Sequence, residues 1–414
     1  MKRNLGVIFG GKSVEHEISI ISAIEAMAAI DKNKYKIIPI YIDKNNTWYT
    51  GGHLKDILHY RDMKVLKRYA KKVALVKKGS SAVLERQGLI KRNICVLDMI
   101  LPVGHGAFLE DGSLQGYLNM IGIPYAGSNV LGSAIGQDKV IQKDLLKQNG
   151  IPVCNYIWFY DYEYEKNNKE VIRKIKTLKY PMYVKPSSLG SSIGISLVKS
   201  EKDLDEAIKE AFKYDRKIII EEQVDNVKEV NISVLGNYEK MQVSEIEEIN
   251  LQGEFYSFKE KYVEGYTKTG GRSKKKTKRI ISKEMMEDMK KYALETFRII
   301  NASGVARIDF LIDDKNKRLY VNEINTIPGD LASFLWMAKK TSQTELIENL
   351  LDLALAEKEK QNKTIYAFDR NLLEKHDLGG NKLKKKEKKD ANKKSKTNNK
   401  KETNKKVKAK SKKK

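Results

Sequence analysis

Hydrophobic and polar positions switch between a period of two and a helical period along most of this chain. A buried-strand run, Leu5–Phe9, ends at Gly10-Gly11-Lys12-Ser13; the pattern from Ile18 to Ile30 is helical, and Lys36–Ile42 reads as the next strand. The apolar run Ile94–Leu101, a loop around Gly104–Gly112, a helix from Leu114 to Met120 and a short extended piece at Ile123–Tyr125 follow. Strands alternating with helices predict a parallel sheet covered by helices.

A second region begins near Gly127. Ser133 to Gln148 reads as helix and stops at Gly150-Ile151-Pro152. Strands Tyr180–Lys185 and Ile195–Val198 flank the small-residue loop Pro186–Gly194, and a helix over Asp203–Phe212 leads into the strand Lys217–Glu221. The third region holds strands Asn231–Leu235, Gln242–Ile246, Ala306–Ile312 and Leu319–Ile324, with helices over Lys283–Ile300 and Thr344–Lys358. No internal repeat interrupts this order.

Composition changes the picture at one end. The chain has 414 residues with 79 Lys+Arg against 54 Asp+Glu, a formal +25. From Asn381 onward there are 18 lysines and three acids, so this segment carries +15 of the total. Too poor in apolar residues to offset chain entropy, it is expected to be a disordered tail. With no aromatic residue to stack on bases, its expected contact is non-specific and polyanionic. Cys95 and Cys154 form no metal or disulfide pattern and suit a reducing cytoplasm. No apolar run approaches a membrane span.

Several constellations carry candidate chemistry. Lys185-Pro186-Ser187-Ser188-Leu189-Gly190-Ser191-Ser192-Ile193-Gly194 offers backbone N–H groups and hydroxyls to phosphate. It is neither a P-loop nor a dinucleotide turn, because a strand follows it; the alternative is an ordinary turn. Arg307 and Asp309 lie two apart on one strand, and Glu323 and Asn325 repeat that spacing on the next, so each pair shares a face. Two carboxylates and an amide oxygen are hard-oxygen ligands suited to Mg²⁺; the alternative is a cross-strand salt bridge. Glu221-Glu222-Gln223-Val224, with Glu229 beyond, reads as a hinge for a base and a ribose, and by itself this is a weak signal. The loop Glu254–Arg279 holds Tyr256, Lys261, Tyr262 and a basic cluster, and its length suits a lid. Glu15-His16 follows the first glycine turn, and His105 sits in a glycine-flanked loop after a strand, where α/β proteins place ligands.

In this order, GGKSVEHEISIISA, HGAFLEDGSLQGYL, IPYAGSNVLGSAIGQDK, VKPSSLGSSIGIS, FYSFKEKY and RIDF with NEINTIPG resemble the signatures of the D-alanine–D-alanine ligase family of ATP-grasp enzymes, over roughly residues 4 to 355. The resemblance implies an α/β fold: a Rossmann-like parallel-sheet domain over 1–127, a two-part ATP-grasp fold over 128–216 and 217–360, then linker and tail over 361–414. It implies that Lys139, Lys185 and Lys261 contact ATP phosphates with Ser192 beside them, that Glu221, Glu222, Gln223, Val224 and Glu229 hold adenine and ribose, and that Asp309, Glu323 and Asn325 bind two Mg²⁺, with Mn²⁺ as a substitute. Arg307 and the Gly329 N–H would form the oxyanion site. Glu15 would hold the first amino acid's ammonium, His105 would help place that substrate, and Glu15, Ser191 and Tyr262 would hydrogen-bond across domains. A cytoplasmic homodimer making D-alanyl-D-alanine for peptidoglycan is the implied protein; the alternatives are D-lactate or D-serine as acceptor, or a polyanion-binding protein defined by its tail. Two departures from the family pattern stand out. Asp330-Leu331-Ala332-Ser333-Phe334-Leu335-Trp336 is about one residue shorter than the family's acceptor segment, leaving Ser333 as the candidate acceptor contact, and Leu109 stands where a glycine is usual.

Overall fold

The computed structural model describes residues 2–249, 281–368 and 370. The loop with Lys261 and Tyr262 and the lysine-rich tail lie outside the described residues. Met1–Gln361 forms one compact unit, and Asn362–Lys414 is counted apart from it.

Within the first unit the chain runs β1 (Arg3–Gly10), α1 (His16–Ala29), β2 (Tyr35–Ile42), β3 (Trp48–Thr50), α2 (Met63–Tyr69), β4 (Lys71–Lys78), β5 (Ser81–Arg86), β6 (Arg92–Leu97), β7 (Met99–Pro102) and α3 (Ser113–Ile121). Its seven strands are ordered β6-β5-β4-β3-β2-β1-β7. Only β2-β1-β7 pair in parallel; from β2 to β6 the pairing is antiparallel. The parallel sheet expected from the sequence is therefore confined to three strands. The short connections from β2 to β3, β4 to β5 and β5 to β6 explain most of the rest, because a parallel neighbour needs a crossover of a dozen or more residues; the longer β3–β4 connection, which contains α2, also returns antiparallel.

Next come α4 (Val130–Gln137), α5 (Lys139–Gln148), β8 (Tyr156–Tyr160), α6 (Asp161–Lys166), α7 (Asn168–Ile175), β9 (Met182–Pro186), β10 (Ser196–Val198), α8 (Leu204–Phe212) and β11 (Lys217–Glu222). The four strands lie in the order β10-β9-β11-β8. The single helix expected over Ser133–Gln148 is two, broken at Asp138. That residue has extended backbone, and its carboxylate accepts from the N–H groups of Val140 and Ile141, so it ends one helix and caps the next.

The last stretch holds β12 (Val227–Gly236), β13 (Met241–Val243), β14 (Glu247–Ile249), α9 (Lys283–Ile299), β15 (Gly304–Asp313), β16 (Arg318–Asn325), α10 (Ser333–Ala338) and α11 (Gln343–Lys363). The order β13-β12-β15-β16, with β14 on β12, is antiparallel throughout. Helix α9 lays Met289, Ala293 and Phe297 on this sheet, an i, i+4, i+8 stripe packed against Ile232, Ile308 and Val321. Leu346, Leu350 and Leu351 of α11 join a core that also holds Leu5, Phe9 and Met27, so the C-terminal helix packs with the first strand. Trp336 is fully buried and donates its indole N–H to Ser233 Oγ at 3.0 Å.

Candidate active site

The register of β15 and β16 brings the candidate metal ligands together. Asp309 stands opposite Glu323 and Arg307 opposite Asn325, while Asn231 of β12 faces Asp309 from the other side. The period of two puts these side chains on one face, as the sequence spacing required. Arg307 holds Asp309 with two hydrogen bonds, Nε to Oδ1 at 2.6 Å and a terminal nitrogen to Oδ2 at 2.7 Å. The Asn325 amide reaches Asp309 Oδ2 at 3.3 Å, and Lys139 Nζ lies 3.2 Å from Glu323. Protein cations thus sit against both carboxylates. The set of two carboxylates with an amide oxygen, facing one cleft and half-buried, fits a hard divalent cation that keeps part of its shell for phosphate and water.

Lys139 owes its place to Asp138. The Asp138 carboxylate also accepts from Ser187 Oγ at 2.8 Å and pairs with Lys217, while the Lys139 N–H donates to Ser187 O at 2.9 Å. Lys139 Nζ then donates to Leu189 O at 2.8 Å. The start of α5 is in this way pinned beneath the Pro186–Gly194 loop. Ser191 and Ser192 in that loop have φ of 54° and 59°, a left-handed conformation that non-glycine residues adopt at some cost.

Lys185 ends β9 at the base of the same loop. Its Nζ lies 2.5 Å from Glu221 Oε2, and Lys143 Nζ lies 3.1 Å from Glu221 Oε1. Burial pushes the Glu221 carboxyl up, but the charges of Lys143 and Lys185 outweigh it and hold its pKa down at about 2. Burial opposes the charge on Lys185 as well, and the Glu221 carboxylate more than compensates, so this pKa is raised. The Glu221 side chain is committed to lysines instead of reading a base edge. Glu222, Gln223 and Val224 line the cleft beside it. The Glu222 and Gln223 N–H groups already donate to Asn155 O and Pro181 O, both at 3.0 Å.

On the other side, Ser191 Oγ hydrogen-bonds Glu15 Oε1, joining the loop after β9 to the start of α1. Gly190 makes this approach possible, since a Cβ there would stand 3.1 Å from Glu15 Oε2. Glu110 is buried nearby and accepts the Gly106 N–H at 2.6 Å. Burial first, and the Glu15 charge second, push its carboxyl well above the usual carboxylate range. His105 is also buried; its Nδ1 meets Ile327 O and its Nε2 meets Ser22 Oγ, each at 3.0 Å. Burial lowers its pKa to about 4, against the pull of the Ile327 carbonyl, so the ring is neutral at pH 7. With both nitrogens engaged, His105 places its surroundings through Ile327 and Ser22.

Two clefts meet here. One is lined by Glu15, His105, Glu110, Asn231, Arg307, Asn325 and Gly329, the other by Tyr183, Lys185, Ser192, Ile195, Glu221 and Val224. Lys139, Gly190, Ser191, Glu229, Asp309 and Glu323 belong to both. Ser333 belongs to neither. Asp330, Leu331 and Ala332 are three successive left-handed residues, with φ of 52°, 51° and 53°, and this turn buries Ser333 with its hydroxyl on Asp330. Gln343 fixes the other Asp330 oxygen at 2.7 Å. Sequence reasoning missed Lys143, Glu110, Asn231 and Gln142, whose Oε1 accepts the Ile324 N–H at 3.1 Å. For Lys143 a signal existed, because it stands one helical turn from Lys139. Glu110 lies in the stretch HGAFLEDGSLQGYL, which carried the resemblance but assigned it no role; Asn231 and Gln142 carried no signal.

The comparisons with known proteins agree along the chain. Residues 4–128 match the family described as D-ala D-ala ligase N-terminus, and residues 145–352 the D-ala D-ala ligase C-terminus. The D-alanine--D-alanine ligase of Thermosipho melanesiensis is 40% identical over 374 residues, 89% of this chain and 98% of that one. Among solved structures, the D-alanine-D-alanine ligase from Coxiella burnetii has a TM-score of 0.73 at 30% identity, covering 87% of this chain and 96% of its own. The VanG D-Ala:D-Ser ligase from Enterococcus faecalis gives 0.70 at 29%, covering 86% and 100%. The D-alanine--D-alanine ligase from Bacillus anthracis complexed with ATP gives 0.61 at 25%, covering 87% and 99%.

Proposed function

The chain belongs to the D-alanine–D-alanine ligase family, and from that membership we propose that it joins two D-alanines into D-alanyl-D-alanine, converting ATP to ADP and phosphate and supplying a peptidoglycan precursor. The observation that carries the reading is the pair of clefts sharing Lys139, Asp309 and Glu323. A triphosphate entering from the side of Lys185 and an amino acid entering from the side of Glu15 would meet at those residues.

In the first step a carboxylate oxygen of one D-alanine attacks the γ-phosphorus, the bond to the bridging oxygen breaks, and ADP leaves. In the second, the amine of the other D-alanine attacks the carbonyl carbon of the acyl phosphate. The tetrahedral intermediate collapses, and phosphate departs with the oxygen that first attacked. Lys139 and Lys185, with Lys261 outside the described residues, neutralise the phosphates. Ser192 stands beside them, and Glu229 takes the ribose. Asp309, Glu323 and Asn325 would hold two Mg²⁺, which supply further charge neutralisation when bound. Arg307 and the Gly329 N–H face the carbonyl oxygen where negative charge develops. Glu15 holds the donor ammonium, and its contact with Ser191 ties donor binding to the loop that keeps water from the acyl phosphate; Tyr262 belongs to the same reading.

The division into 1–127, 128–216 and 217–360 belongs to this reading, as do a cytoplasmic homodimer and polyanion contact through the tail, although β11 (Lys217–Glu222) pairs within the second sheet. Among the described residues no helix is long and apolar enough to cross a membrane.

The acceptor is the one point at which a second reading has an observation behind it. Ser333 does not line the cleft, and the VanG protein of similar fold is a D-Ala:D-Ser ligase. Phosphate release with D-alanine as donor and D-alanine, D-serine or D-lactate as acceptor tests both. D-Alanine is expected to be the best acceptor, and a clear preference for another compound overturns that assignment while leaving the ligase chemistry.

A further inference from the structure

Helix α5 carries two lysines one turn apart. Lys139 faces both clefts, whereas Lys143 lines neither and is completely buried. Its Nζ lies 3.1 Å from Glu221 Oε1, and Glu221 is itself only 2% exposed. β11 pairs with β9 so that Ile219 faces Lys185 and Glu221 faces Tyr183, which puts Glu221 diagonal to Lys185 on one face of the sheet. One carboxylate thus stands between two ammonium groups, Lys143 on the helix side and Lys185 on the cleft side. Taken together these three described groups carry one more positive than negative charge, and Lys185, at the base of the glycine-serine loop, is the lysine of the pair that lines a cleft.

Ionised groups leave water only when something compensates them, and an excess buried cation calls for an anion. With Lys143 absent, Glu221 and Lys185 would form a closed neutral pair. The lysine would be held by the full charge of the carboxylate, and a phosphate would have to compete for it. With Lys143 present, the carboxylate is shared, and Lys185 keeps part of its charge for the cleft.

We propose that Lys143 is a positioning residue for nucleotide binding: by sharing Glu221 it leaves Lys185 available to the phosphates of ATP. The proposal rests on the reading of the second cleft as the nucleotide site.

Four proteins test it: the unchanged enzyme, Lys143→Met, Lys143→Arg and the double variant Lys143→Met/Glu221→Gln. Each is checked for folding by thermal unfolding, and its KM for ATP, KM for D-alanine and kcat are measured. Methionine fills the space of the lysine stem, and buried ion groups often give way to apolar ones without loss of fold. Lys143→Met is expected to raise the KM for ATP about tenfold, with the KM for D-alanine within twofold. Lys143→Arg should stay close to the unchanged enzyme. The double variant restores the excess of one charge and frees Lys185 from its carboxylate, so its KM for ATP should return most of the way. An ATP KM unaltered in Lys143→Met, or a double variant as impaired as the single one, overturns the proposal. If the single variant fails to fold, Lys143→Arg and the double variant still decide it. Absence of ATP turnover in the unchanged enzyme instead overturns the reading of the site on which the proposal stands.

Discussion

The two clefts hold their polar groups by different means. On the side of Lys185, and at the residues around the junction of the two clefts, the buried and half-buried carboxylates lie against cations: Glu221 against Lys143 and Lys185, Glu323 against Lys139, Asp309 against Arg307, Asp138 against Lys217. On the side of Glu15 neutral groups serve: the Ser191 hydroxyl for Glu15, the Gly106 N–H for Glu110, and the Ser22 hydroxyl and the accepting Ile327 carbonyl for His105. The first arrangement surrounds its carboxylates with protein cations, which suits the polyanion of the proposed reading. The second sets two carboxylates, Glu15 and Glu110, close together among neutral groups, which suits the ammonium group of the proposed substrate. Removing a member of the first set strands a charge; altering the second changes what the cleft accepts and how it titrates.

The largest effect should come from the carboxylates common to both clefts. Glu323→Gln keeps the shape of the side chain, yet it removes the negative charge opposite Lys139 and, on the proposed reading, a metal ligand. Turnover is expected to fall roughly a thousandfold, with the thermal midpoint within a few degrees of the unchanged enzyme. Near-normal phosphate release would remove this residue from the reacting centre.

A crossed pair of variants sharpens the contrast between the sides. Lys185→Met should raise the KM for ATP by about a hundredfold and leave the KM of the donor D-alanine within twofold, while Glu15→Gln should do the reverse, raising the donor KM tenfold or more. If either variant shifts both constants equally, the two clefts do not divide their substrates as described.

Much of this division could be read along the chain before any coordinates. Lys185 before a glycine-serine loop, and carboxylates spaced by two on adjacent strands, are local patterns, and the antiparallel register of β15 and β16 turned their spacing into proximity. What escaped was long-range. Glu110 matters because the backbone folds it near Glu15, and Lys143 because the fold brings its Nζ within 3.1 Å of Glu221 on β11. Strands β4 and β5 escaped for a local reason: Lys71-Lys72 and Lys77-Lys78 frame the short apolar stretch of β4, blurring its alternation, and the hairpin turns at Gly79. The helix break at Asp138 was visible only as a residue type, because a capping aspartate inside an apolar pattern is decided by which N–H groups it meets. Ser333 is the clearest lesson. Its place in the motif suggested a ligand contact, but the left-handed turn at Asp330–Ala332 withdraws it.

A smaller effect lies in the pH dependence of stability. The folded-state pKa of His105 is about 4, below the ordinary value of 6.5, so between those values the unfolded chain binds more proton than the folded one. Stability is therefore complete above pH 6.5 and falls as pH drops toward 4, by on the order of 3 kcal/mol for this residue. In His105→Asn that contribution should vanish. The difference between the two unfolding curves isolates it from Glu110, whose raised pKa acts in the opposite direction. Parallel curves from pH 7 to 4 would show that His105 is not held neutral.

The central claim, that a carboxylate is activated as an acyl phosphate where the two clefts meet, is tested most directly by isotope transfer. D-Alanine carrying ¹⁸O in its carboxylate is incubated with the enzyme, Mg²⁺ and unlabelled ATP, and the products are examined by mass spectrometry. The account predicts D-alanyl-D-alanine and ADP, with one ¹⁸O atom in each phosphate released. Unlabelled phosphate, or AMP with pyrophosphate in place of ADP, would contradict it.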